Sequence, residues 1–190
     1  MQVYRVFPFD PDAAAGNPGH PDHVYWPAQG RNRLDNPDHY ATWYYGATPE
    51  VAIGESFGNL ARWSEEMFVM PSVGRRVLGV YEIDDDPAVV DLDDANNLLA
   101  WNLRPTQVIS RNRPATQAWA LRIFQDTDHR GARRWAGVRW WSYHRPHWTV
   151  IALWHVEGAA PVHRFVAAEE LTPGHRAVES ARATLGRLWH

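Results

Sequence analysis

Three kinds of side chain in the first third of the chain could together bind and cleave a dinucleotide. The segment 30–37, GRNRLDNP, carries two arginines, and an arginine fork can hold a pyrophosphate through paired hydrogen bonds. The tyrosines of the next segment, TWYYG at 42–46, could stack on a nicotinamide ring. Glu55 offers a carboxylate for ribose hydroxyls. Because neither G-x-G-x-x-G nor a Walker A loop is present, this pattern alone is one interpretation among several.

A second chemical interpretation involves Ser56. Residues 54–58, GESFG, match the G-x-S-x-G pattern of serine hydrolases. A nucleophile elbow needs its serine on the tight turn directly between a strand and a helix. Here the predicted strand ends near Tyr45 and the helix begins near Thr48, so Ser56 falls inside the helix. We therefore interpret the match as accidental.

Histidine and tryptophan raise two further alternatives. The pairs His20/His23 and His144/His147 could each clip a metal ion, but no H-E-x-x-H motif accompanies them and the chain has no cysteine. Solvated histidines and no bound metal are therefore expected. Eleven tryptophans could form a sugar-stacking platform. The apolar strands around Trp140, Trp148 and Trp154 favour core packing instead.

The elements that must position these residues follow from periodicity and from capping signals. Pro49 after Thr48 marks the start of a helix that reaches about Leu60. Glu55 lies nearly opposite the apolar stripe of this helix, an orientation that suits a solvated glutamate as well as one in a cleft. Residues 8–37 show no period and predict a long loop. The sequence predicts strands at 2–7, 41–45, 75–83, 88–92, 136–142 and 148–156, and helices at 48–60, 93–101, 114–125 and 175–188.

This order favours an α+β fold, in one domain spanning 1–190. The net charge of −3 provides no overall positive field for nucleic acid, although all 19 basic residues are arginines that cluster in places. No stretch approaches the roughly 20 apolar residues of a membrane span, and the N-terminus does not resemble a signal peptide. A cytoplasmic protein is expected.

The same motifs, read in order, resemble the RES domain family. VYRVF at 3–7 resembles the opening strand of the family, and NRLDNP at 32–37 resembles its arginine loop. TWYYGATPEVAIGE at 42–55 is similar to its Tyr-x10-Glu strand and helix, with Ala52 at the small helix position. ATQAWALRIFQ at 115–125 resembles the helix that precedes the third motif of the family, and WAGVRWWSYHRP at 135–146 resembles the glycine-led strand that ends in the family serine. Leu34 and Tyr143 depart from the pattern, which often has an aromatic and a basic residue there.

The resemblance implies a site made of Arg33, Tyr44, Glu55 and Ser142, with Arg31 as a competing choice for the arginine. It assigns Arg33 to the diphosphate of NAD, Tyr44 to the nicotinamide ribose or ring, and Glu55 to the ribose hydroxyls and the developing cation. Ser142 would orient the ligand or Glu55.

The implied activity is cleavage of the nicotinamide–ribose bond, by phosphate as in NAD phosphorylases or by water, with NAD as substrate and no cofactor. The implied fold is a split sheet like that of ADP-ribosyltransferases. The resemblance also implies that the protein is a toxin neutralised by an antitoxin protein. Whether the chain forms a homodimer is left open. An ADP-ribosyltransferase acting on a macromolecule and a non-catalytic binding module are the alternatives.

Overall fold

A computed structural model describes residues 1–25, 29–70, 74–83 and 87–190. Its strands are β1 (Gln2–Phe9), β2 (Ala41–Gly46), β3 (Arg62–Trp63), β4 (Val69–Met70), β5 (Gly74–Ile83), β6 (Val89–Asp91), β7 (Gly137–Trp141), β8 (Thr149–His155), β9 (His163–Glu170) and β10 (Leu188–Trp189). Its helices are α1 (Pro49–Phe57), α2 (Ala95–Ala100), α3 (Pro105–Val108), α4 (Arg113–Phe124) and α5 (Arg176–Leu185), with a 3-10 turn at Glu65–Phe68.

All the strands and helices predicted from the sequence are present, with ends shifted by a few residues. The predicted loop begins after Phe9, and its described residues up to 35 contain no helix or strand, while residues 26–28 lie outside the described part. The combination of mostly antiparallel strands with flanking helices confirms the α+β class. The likeness to ADP-ribosyltransferases stays a prediction. Among the described residues, no helix combines the length and apolar composition needed to cross a membrane.

The chain divides into two compact units, each assembled from separate stretches of sequence. Unit 1 consists of Met1–Val24, Tyr45–Ile83 and His163–His190, and unit 2 of Tyr25–Tyr44 and Asp84–Val162. The boundary after Tyr44 falls inside β2, so this strand contributes residues to both units. One domain over 1–190 stays a prediction.

Unit 1 is organised around the long strand β5. β5 pairs antiparallel with β1 from Gln2↔Glu82 to Phe9↔Arg75, and it also pairs with β9 and β4. The helices α1 and α5 pack against each other. A parallel pairing of β10 with β3 brings the C-terminal residues beside the segment that follows α1.

Unit 2 contains a sheet in which β2, β8, β7 and β6 are successive neighbours. β7 is antiparallel to β8, with Gly137 opposite Leu153, and parallel to β6. Trp140, Trp148 and Trp154 are buried, which confirms their predicted place in the core. The helix α4 buries Trp119, Ala120, Ile123 and Phe124.

A chain of polar contacts in unit 1 joins Tyr45 of β2 and His163 of β9 to Asp22 of the N-terminal loop. The Tyr45 hydroxyl lies 2.9 Å from Nδ1 of His163, and Nε2 of His163 lies 3.3 Å from Oδ1 of Asp22. Tyr45 and His163 are both buried, and desolvation raises the pKa of the Tyr45 phenol well above its usual range. The neutral phenol therefore depends on His163 for a hydrogen-bond partner.

We predict that His163→Leu lowers the free energy of unfolding by about 1–3 kcal/mol, because it leaves the buried Tyr45 hydroxyl without this partner. Adding Tyr45→Phe should restore part of the loss, since removing both polar partners costs less than removing one. Urea unfolding of the two single variants and the double variant measures the coupling. Strictly additive losses would mean that this hydrogen bond contributes nothing to stability.

Candidate active site

The loop at residues 30–37, here called the arginine loop, is fixed to α4 by side chains of that helix. The Thr116 hydroxyl donates to the carbonyl oxygen of Arg33 at 2.6 Å. Gln117 Nε2 donates to the carbonyl oxygens of Gly30 at 3.1 Å and Asn32 at 2.9 Å. Thr116 has an exposed fraction of 0%. These bonds satisfy backbone carbonyls that an irregular loop would otherwise leave to water, and they give the loop one defined position.

The inner side of the arginine loop is organised by Asp35, which is only 1% exposed. One carboxylate oxygen accepts from the backbone N–H of Asn32 at 2.8 Å, and the other accepts from the Tyr44 hydroxyl at 2.9 Å. The same hydroxyl accepts from the backbone N–H of Leu34 at 2.9 Å. Tyr44 of β2 is thus bonded at its polar end to two consecutive residues of the loop.

Two environmental effects keep Tyr44 protonated. Desolvation of its hydroxyl raises the pKa well above the usual range, and the nearby Asp35 carboxylate raises it further by charge repulsion, while the N–H of Leu34 acts in the opposite direction. The phenol is therefore a fixed neutral donor and not a base. Its ring meets the ring of Trp140 edge to face, with centroids 6.4 Å apart.

The two candidate arginines differ in their surroundings. Arg33 is half-buried, and its guanidinium donates to the carbonyl oxygen of Val108, at the end of α3, at 3.4 Å. Arg31 is exposed near the start of the arginine loop. Arg33 is therefore the candidate whose side chain is held by a contact within unit 2.

Ser142 follows the last residue of β7 and has an exposed fraction of 2%. Its backbone N–H donates to the carbonyl oxygen of Trp148 at 2.7 Å, and its hydroxyl oxygen accepts from the N–H of His144 at 2.9 Å. Alternation along the strand puts Ser142 on the same face as Trp140. Ser142 therefore lies on the face of β7 that carries the contact between Trp140 and Tyr44.

The close approach of β8 explains why β7 begins with a glycine, Gly137. A Cβ atom at this position would lie 2.0 Å from the carbonyl oxygen of Ala152 on β8. Any other residue would therefore push β7 away from β8 at the start of the strand that leads to Ser142.

Glu55 lies in unit 1, on α1, and is half-buried. The helix begins as predicted, with the Thr48 hydroxyl accepting from the N–H of Val51 at 3.3 Å and Pro49 in the first turn. Its end was predicted too late: the helix stops at Phe57, and Leu60, the predicted end, is 44% exposed. Glycine at position 58 favours an ending there because it is a poor helix former.

Ser56 is exposed in the last part of α1, and its hydroxyl donates to the carbonyl oxygen of Ala52 at 2.8 Å. It occupies the helix, not a strand-to-helix turn. The predicted position of Ser56 inside the helix is confirmed.

The direction in which α1 leaves β2 depends on Gly46. A Cβ atom there would lie 2.4 Å from the backbone nitrogen of Ala52 and 2.9 Å from the carbonyl carbon of Val51. The end of β2 therefore touches the backbone of the helix that carries Glu55, and only glycine permits this approach.

We predict that Gly46→Ala lowers the free energy of unfolding by at least about 1–3 kcal/mol, because the added methyl group must displace helix backbone. Gly174→Ala is the matched control, since a Cβ at Gly174 meets no atom within 4 Å. Thermal unfolding of both variants tests the prediction, and equal midpoints would contradict it.

The structure thus brings Arg33, Tyr44 and Ser142 into unit 2 and puts Glu55 in unit 1. Asp35, Thr116 and Gln117 were missed by the sequence analysis, although they hold the arginine loop in position. In the described part of the chain, no group of three or more His, Cys, Asp or Glu residues could hold a metal ion.

Comparison with known proteins identifies a family and a solved structure of similar fold. No curated protein matches the chain significantly. A chain in the crystal structure of the M. tuberculosis MbcT–MbcA toxin–antitoxin complex superposes with a TM-score of 0.63 at 14% sequence identity, covering 96% of this chain and 88% of the other. The similarity shows a shared fold. The family model of the RES domain matches residues 2–173, so the chain belongs to the RES domain family.

Proposed function

We propose that this protein cleaves the nicotinamide–ribose bond of NAD. The observation that supports the proposal most is the bonding of the arginine loop to Tyr44 through Asp35, which keeps an arginine and an aromatic ring in fixed register within unit 2. Such preorganisation is what a site needs to hold a dinucleotide in reactive geometry. The matched RES domain, covering 2–173, supplies the expectation that the ligand is NAD.

In the proposed reaction, the bond between C1 of the nicotinamide ribose and the pyridine nitrogen breaks, and its electron pair leaves with nicotinamide. The positive charge of the pyridinium is thereby neutralised while the ribose acquires oxocarbenium character. An oxygen of phosphate or water then forms the new bond to C1, and a proton is released to solvent. The products are nicotinamide with ADP-ribose 1''-phosphate, or nicotinamide with ADP-ribose.

We assign the diphosphate to Arg33 in preference to Arg31, since the contact with Val108 holds the side chain of Arg33 ready. A guanidinium that is already ordered loses less entropy when it forms a bidentate pair with phosphate. Arg31, which is exposed, is assigned a supporting contact at the rim.

The hydroxyl of Tyr44 already bonds to Leu34 and Asp35. We therefore assign the substrate contact of Tyr44 to its ring and give the hydroxyl a positioning role. Ser142, whose hydroxyl oxygen accepts from His144, is assigned to orienting the ribose end of the ligand.

We assign Glu55 to the ribose hydroxyls and to the positive charge that develops on the ribose. A carboxylate fixed near a developing cation lowers the barrier because its attraction is stronger in the transition state than in the ground state. Its place on α1, which Gly46 orients from β2, gives it a rigid support.

The decisive experiment incubates the purified protein with NAD, with and without phosphate, and identifies the products by mass spectrometry. ADP-ribose 1''-phosphate formed only with phosphate indicates phosphorolysis, and ADP-ribose in both conditions indicates hydrolysis. Label transferred from NAD to protein or nucleic acid would indicate an ADP-ribosyltransferase instead. Intact NAD under all conditions would refute the enzymatic proposal.

We further propose that this protein is a cytoplasmic toxin and that an antitoxin protein neutralises it. The solved structure with a similar fold is named as a toxin–antitoxin complex, and an enzyme that cleaves NAD would be toxic by depleting it. Induced expression in a bacterial host should lower cellular NAD and stop growth, while a Glu55→Gln variant expressed at the same level should do neither.

A further inference from the structure

An exposed arginine and an exposed aromatic ring lie stacked in unit 2. The guanidinium carbon of Arg111 is 4.4 Å from the ring centroid of Tyr143, well inside the range of a cation–π contact. Tyr143 is 47% exposed although it directly follows the buried Ser142. The ring therefore has no core role that would explain its place, and its face serves as a support for the guanidinium.

The backbone that presents Arg111 is well defined. Arg111 lies in the short connection between α3 and α4. The Ser110 hydroxyl accepts from the N–H of Asn112 at 3.1 Å, and the Asn112 side chain caps α4 by accepting from the N–H of Ala115 at 3.2 Å. Because its two neighbours are hydrogen-bonded and its guanidinium lies over Tyr143, Arg111 gives up little further freedom when it binds a ligand.

The residue just before this connection contacts Arg33. Val108, whose carbonyl oxygen accepts from the Arg33 guanidinium, is three residues before Arg111, so the two backbone positions are at most about 11 Å apart. Thr116 on α4 holds the backbone of Arg33 as well. Residues 108–111 thus contact Arg33 through Val108 and Tyr143 through Arg111.

We propose that Arg111, held over Tyr143, is a second phosphate-binding arginine of this site, acting together with Arg33. This inference rests on the proposed function for its ligand. Stacking occupies one face of the guanidinium and leaves its edge N–H groups to form the paired hydrogen bonds that a phosphate accepts. Two arginines suit the two negative charges of a diphosphate.

A phosphate group could reach this pair from two sources, the diphosphate of NAD or the inorganic phosphate that attacks the ribose. Steady-state kinetics distinguish them, because the KM for NAD and the KM for phosphate are measured separately. Arg111→Gln should raise one of these constants by about 10- to 100-fold, the loss expected for a hydrogen bond to a charged group.

Matched variants separate a specific contact from general charge. Arg130→Gln removes an exposed arginine of the same unit and should change both constants less than twofold. Tyr143→Leu removes the stacking face and should weaken binding severalfold, whereas Tyr143→Phe keeps the ring and should weaken it less. If Arg130→Gln acts as strongly as Arg111→Gln, the inference is wrong.

Binding of inorganic pyrophosphate, measured by calorimetry, tests the inference without turnover. The wild type should bind it at least tenfold more tightly than Arg111→Gln, even if NAD proves not to be the substrate. If the protein does not cleave NAD but the difference in pyrophosphate affinity is found, the proposed function is wrong and the anion site stands. Equal affinities for pyrophosphate, together with unchanged KM values where turnover exists, would overturn the inference.

Discussion

Glu55→Gln is expected to lower kcat for NAD cleavage by about 10²–10³-fold, the usual cost of removing one preorganised group that stabilises transition-state charge. Glutamine keeps the size of the side chain and one hydrogen-bonding oxygen but loses the negative charge. Since this charge acts mainly on the oxocarbenium-like transition state, the KM for NAD should change only a few-fold. Initial rates over a range of NAD concentrations measure both constants.

The neighbouring residue supplies the control. Ser56→Ala removes an exposed hydroxyl that bonds only locally, to the carbonyl oxygen of Ala52, and kcat should remain within twofold of the wild type. A loss of kcat in Ser56→Ala as large as that in Glu55→Gln would revive the serine-nucleophile interpretation. Unchanged kcat in Glu55→Gln would remove Glu55 from the mechanism.

The elements that sequence reasoning placed well are those with a local signal. The start of α1 follows from the Thr48 cap and Pro49, which act over a few residues and do not depend on the rest of the fold. The strand β8 was visible because it is buried on both faces and is therefore apolar throughout. In each case the residues that determine the structure are neighbours in sequence.

The strand β9 shows the opposite situation. Its sequence HRFVAAEE ends in residues that favour helices, and most of its positions are not buried, so no alternation marks it. It is a strand because it pairs with β5, from Ile83↔His163 to Val77↔Glu170. Such a partner, far away along the chain, leaves no trace in the local pattern.

The candidate site divides in the same way. Arg33, Tyr44, Glu55 and Ser142 were identified through resemblance to a family, since periodicity alone allowed a surface position for Glu55. Asp35 and Thr116 were not identified, because a buried polar residue is recognisable only from its partners. The partner of Thr116 is the backbone of Arg33, which is remote in sequence.

Asp35→Ala is expected to reduce kcat/KM for NAD by about 10²-fold, the effect of misplacing a binding group by about 1 Å. The substitution removes the acceptor of both the Tyr44 hydroxyl and the Asn32 N–H, so the arginine loop loses its fixed register. Because that loop is assigned to hold the diphosphate, most of the effect should fall on the KM for NAD. Glu55→Gln should act on kcat, so the two variants separate binding from chemistry.

Two further variants test whether Asp35 acts through Tyr44. Asp38→Ala removes an exposed carboxylate from the segment just after the arginine loop and should leave kcat/KM within twofold, which excludes a general charge effect. Tyr44→Phe breaks the same hydroxyl contact as Asp35→Ala, so the double variant should lose much less than the product of the two single losses. Fully multiplicative losses would show that Asp35 and Tyr44 act independently. The hydroxyl of Tyr44 would then have a role beyond positioning the loop, and its contact with the ribose would be the one to examine.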